Sequence, residues 1–315
     1  MDDAGKVFPA DSALALSAAM HYVCPVILFA LFTVFFPIES AKANDTARLF
    51  GQAQELMRRQ QFTAAVPLLE KCVAAEPGSS RFHQWHGRAL GLQAAQKGIT
   101  TSVLSIRKVK AAFEKAIELD PLNLEARNDL AIMYVAVPRF LGGSNTKASE
   151  QVAFIRRHDP ALALQIDGDF LASEKKYDAA LAAYTESARL HSRPIIHVRL
   201  SLVHQQNKEW EKAFAALERA LALDANHPLA LYQVGRLAAL SGLQLERGEK
   251  CLRTYLAMPL REELENPSIA AAHFRLGNIL EKKGDAAGAR VEYETSLKID
   301  PKQKLAREAL AKLKQ

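Results

Sequence analysis

Two histidines are the first residues whose type and spacing suggest chemistry. His83 and His86 stand three residues apart, a spacing that places both side chains on one face of a helix. Neutral imidazoles are common zinc ligands, but a zinc site needs three or four ligands. No further ligand follows at a suitable spacing, so we interpret the pair as packing histidines and expect no metal and no cofactor. His197 and His204, which also share a helical face, are interpreted in the same way.

A glycine-rich segment is the second candidate for chemistry. Residues 142–147 read Gly-Gly-Ser-Asn-Thr-Lys, but the order of a phosphate-binding loop, G-K-[ST], is missing and no strand precedes them. We predict an irregular loop that ends in a helix N-cap at Ser144 or Asn145. The motifs H-E-x-x-H, G-x-S-x-G and C-x-x-C are also missing from the sequence. The sequence therefore predicts a protein without catalytic activity.

The elements that carry these residues follow from an internal repeat. A small residue returns at intervals close to about 34 residues, with longer intervals before Ala131, Gly168 and Gly277. The full series is Ala53, Gly87, Ala131, Gly168, Ser201, Gly235 and Gly277. Such a period indicates an array of two-helix repeats.

The last repeat shows the unit most clearly. Gly277 and Ala289 are small where two antiparallel helices would cross, and Tyr293 fills the seam between them. Gly284 is placed to end the first helix in a left-handed conformation, and Pro301 cannot continue the second helix. This unit resembles the tetratricopeptide repeat, W-x2-L-G-x2-Y…A-x3-F…P.

The resemblance covers roughly Thr46 to the C-terminus and implies an all-α fold. We expect a right-handed α-solenoid of about seven helix pairs, fourteen repeat helices in all, followed by a C-terminal capping helix. The expected repeats lie at 46–79, 80–123, 124–160, 161–193, 194–227, 228–261 and 270–303, and the cap at 303–315. We expect the cap to be amphipathic through Leu305, Ala309 and Leu313.

Three features depart from a regular repeat. Arg247 stands where the second helix of repeat six should carry a small residue. One insertion is centred on residues 93–103, and a second runs from Val137 to Gly143. Insertions in repeat arrays often form binding loops. Phe140 and Leu141, beside Arg139, would make a contact if exposed; the alternative is that both tuck over the edge of the solenoid.

In the resembling family the first helices line a concave groove that holds extended peptides or partner helices. The resemblance places nine residues of this chain in that groove: Arg81, Trp85, Arg88, Asn128, Arg199, Tyr232, Arg236, Arg275 and Asn278. Guanidinium groups suit carboxylates, and aromatic side chains serve as buried anchors. The Lys/Asn arrangement that some members use for C-terminal carboxylates is missing. We therefore expect a mixed groove of arginine and aromatic residues, with core packing as the alternative for each aromatic.

The N-terminus differs in kind from the repeats. Residues 23–36 are uncharged and mostly apolar, at the length of a signal-peptide core, and Ala41-Lys42-Ala43 follows as a cleavage site. We expect residues 1–43 to be removed, so that the mature chain begins near Asn44 and is periplasmic. Translation from Met20 would give a more compact signal. The alternative is an uncleaved anchor that holds the repeats at the inner membrane.

Charge and cysteine usage agree with an exported protein that binds another protein. Residues 1–43 hold two basic and four acidic residues, so their removal raises the net charge from +6 to +8. The charges are scattered, with no basic run, and we expect a protein or peptide partner with acidic character and no nucleic acid. Cys72 and Cys251 lie five repeats apart, too far for a disulfide, and we expect two buried free thiols. The sequence thus favours a non-catalytic scaffold, with a membrane-anchored assembly component as the alternative.

Overall fold

The computed structural model describes residues 44–97, 103–259 and 267–313. Within these ranges there are fifteen α-helices and no strand, as the repeat pattern predicts. In chain order they are α1 (44–58), α2 (Phe62–Ala75), α3 (Ser80–Lys97), α4 (Val103–Leu119), α5 (Leu124–Ala136), α6 (Asn145–His158), α7 (Pro160–Ser173), α8 (Tyr177–Leu190), α9 (Pro194–Gln206), α10 (Trp210–Leu223), α11 (Pro228–Ser241), α12 (Leu245–Ala257), α13 (Ile269–Lys282), α14 (Ala286–Ile299) and α15 (Lys304–Lys312).

The helices form an array of seven successive pairs and a cap. Each odd-numbered helix from α3 to α13 packs against the even-numbered helix that follows it, and each pair packs against the next. Near the C-terminal end, first helices also pack directly on one another, α9 on α11 and α11 on α13. From Leu49 onward the helices form one compact unit. The predicted solenoid of seven helix pairs and a capping helix is confirmed.

Sequence signals at the helix ends set the boundaries of the pairs. The side chains of Asn123 and Asp159 accept hydrogen bonds from backbone N–H groups in the first turns of α5 and α7. Pro160 and Pro194 stand at the first position of their helices, where the missing N–H costs nothing. Gly284 follows α13 with φ +85°, the left-handed conformation predicted for it.

The small residues lie where the two helices of a pair cross. A Cβ added to Gly277 would stand 2.5 Å from the Tyr293 ring, and Tyr293 itself is fully buried. In repeat six the prediction at Arg247 needs a correction, because the small residue of α12 is Gly248. A Cβ there would lie 2.4 Å from Ala238. The shift arises because α11 extends one residue further beyond its glycine than α13 does.

The buried side chains form three clusters along the array. We call the cluster from Phe50 to Ile166 the N-terminal core, and the cluster from Val198 to Ala306 the C-terminal core. A smaller middle cluster consists of Ala180, Tyr184, Ile196 and Val203. Each core is built by consecutive repeats, as expected for a solenoid in which a repeat touches only its neighbours.

The capping helix turns a different face inward from the one predicted. Leu305 is 54% exposed, whereas Ala306 is fully buried. Ala309, Leu310 and Leu313 pack against the C-terminal core. The buried face of α15 therefore includes Ala309 and Leu313, as predicted, but Ala306 takes the place predicted for Leu305.

Cys72 and Cys251 are both buried and are not joined in a disulfide, as predicted. Among the described helices, not one combines the length and the apolar character that crossing a bilayer requires. The apolar segment 23–36 and the expected cleavage site lie outside the described residues, as does the centre of the first insertion, 98–102.

Candidate functional site

At the N-terminal end of the array, α3 carries three of the residues predicted to line the groove. The Arg81 guanidinium carbon lies 4.5 Å from the centre of the Phe50 ring, and the Trp85 ring meets Phe50 edge-on at 5.5 Å. The guanidinium carbon of Arg88 lies 5.8 Å from the centre of the Trp85 ring. These side chains succeed one another at helical spacing, so α3 offers a continuous cationic and aromatic surface.

The Arg88 guanidinium is bound by carboxylates of the chain itself. Its Nε donates to Asp129 Oδ2 at 2.6 Å, and a second nitrogen donates to Glu125 Oε2 at 3.4 Å. The Gln84 amide donates to the same two carboxylates, at 3.2 Å each. Burial raises the pKa of the Asp129 carboxyl, and the charge of Arg88 opposes that rise. This network joins α3 to α5, so Arg88 is not a bare cation in the groove.

The next first helix, α5, presents an apolar stripe. Asn128, Ile132 and Val135 share one face of α5 at helical spacing, and Ile132 and Val135 are 48% and 47% exposed. The Asn128 side-chain oxygen is buried and accepts no hydrogen bond from the described residues. Ile132 and Val135 were missed by the sequence analysis. The signal was present, because the buried face of α5 is already supplied by Leu130 and Tyr134.

Arg199 on α9 is also held by a carboxylate of the chain. Its Nε lies 3.2 Å from Asp169 Oδ1 on α7, and the same oxygen accepts a 2.7 Å hydrogen bond from the Tyr184 hydroxyl. Burial, together with the negative charge of Asp169, raises the pKa of Tyr184. The predicted cation at this position is therefore part of a link between α7, α8 and α9.

Arg236 and Arg275 are the predicted groove arginines nearest the C-terminal end of the array. They lie on α11 and α13, which pack against each other, and both are half-buried. Arg236 donates to the side-chain oxygens of Gln205 at 2.8 Å and Gln233 at 3.3 Å. Burial, and then the charge of Arg275, lowers the pKa of Arg236. The two arginines therefore lie on first helices that pack against each other.

Asn278 and Tyr232 have structural surroundings. The Asn278 amide donates to the Tyr293 hydroxyl at 2.8 Å, and its oxygen lies 3.5 Å from a donor nitrogen of Arg275. Tyr232 is only 6% exposed and meets the Tyr255 ring at 5.8 Å. The core-packing alternative thus describes Tyr232, which is not accessible as an anchor for a partner.

The insertion after α5 forms a short, defined loop. Residues Arg139–Leu141 make one turn of 3-10 helix, and Ser144 caps α6 by accepting from the backbone N–H of Lys147. Phe140 is 85% exposed, whereas Leu141 is half-buried. The predicted N-cap is thus at Ser144, and Phe140 projects into solvent.

The histidines of the first candidate site have separate partners. His83 Nε2 lies 3.0 Å from the Pro77 carbonyl oxygen, and His86 Nε2 lies 3.8 Å from a Glu70 carboxylate oxygen. Burial lowers the pKa of His86. Across the part of the chain that the structure describes, no group of three His, Cys, Asp or Glu side chains is placed to hold a metal ion.

Known proteins resemble this chain in sequence. Two sequence profiles of the tetratricopeptide repeat match the chain, over residues 168–228 and 270–303. Protein O-mannosyl-transferase TMTC1 of Homo sapiens is 31% identical over 114 residues, which cover 36% of this chain and 12% of that protein. The mouse protein of the same name is 32% identical over the same length.

Solved structures show the same fold. The APC/C hetero-tetramer Cut9–Hcn1 superimposes with a TM-score of 0.52 at 18% identity, covering 84% of this chain and 48% of that chain. The human IFIT1 dimer with m7Gppp-AAAA gives a TM-score of 0.54 at 18% identity, covering 81% and 58%. This chain therefore covers less than two thirds of each of these relatives, and likeness at such identity concerns the architecture alone.

Proposed function

We propose that this chain, a tetratricopeptide repeat protein, is a non-catalytic scaffold that holds an extended segment of a partner protein in its groove. The observation that carries the proposal is the face of α5. Ile132 and Val135 are about half exposed on a first helix whose buried face is already complete. Exposed apolar side chains flanked by polar residues are a common mark of a protein-binding surface.

The flanking groups fit the same role. On the preceding first helix, α3, Arg81 and the partly buried Trp85 contact the Phe50 ring and add cationic and aromatic area. Aromatic and arginine side chains supply much of the binding energy in protein interfaces. The activity named for the human relative is not carried over to this chain, because the match covers 12% of that protein.

Photo-crosslinking tests the groove. A benzophenone amino acid is placed at Ile132 in one variant and at Val291, 59% exposed on the second helix α14, in a matched control. We expect light-dependent adducts to one defined protein in native cells from position 132 and not from position 291.

The crosslinked partner protein is then purified, and its affinity for this chain is measured by calorimetry. Ile132→Glu should weaken binding about tenfold or more, and Val291→Glu should leave it unchanged. Equal adducts from both positions, or unchanged affinity of Ile132→Glu, would contradict the proposal.

We further propose that the scaffold is exported and works in the cell envelope. The support is the apolar segment 23–36 followed by Ala41-Lys42-Ala43. The second candidate, a membrane-anchored component of an envelope assembly, rests on the same segment being retained. N-terminal sequencing of native protein separates the two, because export with cleavage gives a chain beginning at or near Asn44. A chain in the membrane fraction that still carries residues 23–36 would favour the anchor.

A further inference from the structure

Three junctions between repeats carry a pair of charged residues in the same register. One residue directly follows the small residue of a first helix, and the other precedes the next small residue by two positions. In the first junction these residues are Arg88 and Asp129, and they form an ion pair at 2.6 Å. In the second they are Asp169 and Arg199, which form an ion pair at 3.2 Å. The chain therefore uses this register to bind first helices to each other through opposite charges.

The third junction breaks the rule. Here the two positions hold Arg236, which follows Gly235, and Arg275, which precedes Gly277. Neither guanidinium forms an ion pair with a carboxylate in residues 44–97, 103–259 or 267–313. Two like charges therefore occupy, on two packed first helices, the positions that hold a cation and an anion at both other junctions. Such an arrangement costs free energy unless an anion from elsewhere lies between them.

The remaining hydrogen bonds leave donors available. Arg236 donates only to the neutral amide oxygens of Gln205 and Gln233. The guanidinium carbon of Arg275 lies 4.9 Å from the centre of the Phe274 ring. Its hydrogen bond to the Asn278 oxygen is long, 3.5 Å, and its Nε is buried without an acceptor in the described chain. A buried guanidinium donor without a partner is destabilising, and a carboxylate would satisfy it. The nearest carboxylate in this network, Glu281, accepts from the Tyr293 hydroxyl and forms no ion pair with either arginine in the described chain.

We propose that Arg236 and Arg275 bind the side-chain carboxylate of an Asp or Glu in the partner segment. That carboxylate takes the place which Asp129 and Asp169 occupy at the other two junctions. The inference rests on the proposed function, because it names the chemistry that the C-terminal end of the groove recognises. It also locates the acid-binding part of the groove in repeats six and seven, since Arg88 and Arg199 already have carboxylates of their own.

The test uses a labelled ten-residue peptide of alternating Glu and Ser with both ends blocked. Its affinity is measured by fluorescence anisotropy at low salt. The Arg236→Gln/Arg275→Gln variant should bind it at least about tenfold more weakly than the wild type. The matched control, Arg107→Gln/Arg290→Gln, removes two exposed arginines from the second helices α4 and α14 and should bind as the wild type does. A peptide of alternating Gln and Ser should show no saturable binding to the wild type or to either double variant.

A second variant separates binding from folding. Arg275→Asp should recreate the ion pair of the other junctions, so its urea midpoint should equal or exceed that of the wild type while the peptide no longer binds. Three results would overturn the inference: no saturable binding of the Glu/Ser peptide to the wild type, equal loss in the control variant, or unchanged affinity of Arg275→Asp. The choice of a side-chain carboxylate would also be overturned by one competition result. In it, an unlabelled Gln/Ser peptide displaces the labelled Glu/Ser peptide only when its own C-terminal carboxylate is unblocked.

The outcome is distinguishable from failure of the proposed function. If crosslinks from position 132 persist and the arginine variants bind the acidic peptide normally, the groove binds a partner but this site does not select carboxylates. If position 132 gives no specific crosslink, the scaffold proposal fails whatever the arginine variants do.

Discussion

At three crossings, glycine lets the two helices of a pair lie close together by leaving room for an aromatic ring. A Cβ on Gly87, Gly168 or Gly277 would lie 2.5–2.6 Å from the ring of Phe113, Tyr184 or Tyr293 respectively. Each of these rings belongs to the second helix of the same repeat. Because ring carbons cannot swing away as the end of a flexible chain can, the second helix would have to move.

This geometry predicts opposite effects for two alanine substitutions in one helix. Gly87→Ala should lower the free energy of unfolding by about 1–3 kcal/mol, because the added methyl group meets Phe113. Gly91→Ala, one turn later in α3, should raise it by about 0.5–1 kcal/mol, since the nearest atom is 3.7 Å away and alanine favours the helix. Urea unfolding followed by circular dichroism measures both. Stabilisation by Gly87→Ala would show that the crossing is looser than described.

The buried tyrosines make stability depend on alkaline pH. Burial raises the pKa of Tyr255 to about 12, and it raises the pKa of Tyr184 and Tyr293 further. An unfolded tyrosine releases its proton near pH 10. The native chain thus holds protons that the unfolded chain has lost, so the free energy of unfolding should fall as the pH rises from about 10 to 12. Tyr184→Phe should reduce that slope in urea titrations at a series of pH values. A flat profile up to pH 12 would contradict the burial of these hydroxyls.

At the scale of elements, the turns inside four described pairs share one backbone conformation with different residues. Gly284 has φ +85° in repeat seven, and Gln60, Lys175 and Lys208 have φ of 58–61° at the equivalent position in repeats one, four and five. A side chain in this region costs about 1–2 kcal/mol, whereas glycine adopts it freely. The turns of repeats one, four and five therefore carry strain that glycine avoids in repeat seven.

Replacing one of these residues should stabilise the array. Lys208→Gly should raise the free energy of unfolding by about 0.5–1 kcal/mol, because the left-handed strain outweighs the entropy that glycine adds to the unfolded chain. The reverse change, Gly284→Ala, should lower it by a similar amount. Thermal unfolding of the two variants provides the comparison. No gain for Lys208→Gly would mean that its side chain makes compensating contacts at the turn.

Helix pairing was predictable because its signals are local. The turn at Gly284 and the cap at Ser144 depend on residues a few positions apart, and the crossing at Gly277 depends on residues within one repeat. The position of Gly248 was not predictable in this way, since one extra residue in α11 shifts the register of the next helix. The ion pair of Arg88 with Asp129 joins residues 41 positions apart. Its recognition requires the packing of α3 on α5, which spacing within one repeat does not contain.

At the scale of the whole molecule, the core is divided along the array. The N-terminal and C-terminal cores are separate clusters, with the small middle cluster around Tyr184 between them. In a solenoid the coupling between distant repeats passes only through neighbours. A narrow core between two larger ones should therefore limit how far unfolding spreads.

Two matched leucine substitutions test this division. Leu69 and Leu252 are both fully buried on second helices, one in each large core. Replacing either by alanine should cost about 2–5 kcal/mol. Leu69→Ala should accelerate hydrogen exchange mainly in α1–α6, and Leu252→Ala mainly in α9–α15, as measured by mass spectrometry. Uniform acceleration along the chain in either variant would show that the array unfolds as one unit.

The fluorescence of Trp85 can report on binding at the N-terminal end of the proposed groove. The chain has two tryptophans, and Trp210 packs against the C-terminal core, away from α3. Trp85 stands between the Phe50 ring and the Arg88 guanidinium. In a Trp210→Phe variant the remaining indole emission should respond to a segment lying on α3. A ligand that contacts only Arg236 and Arg275 should leave the Trp85 emission unchanged. The fluorescence of Trp85 therefore reports whether a bound partner segment extends along the groove as far as α3.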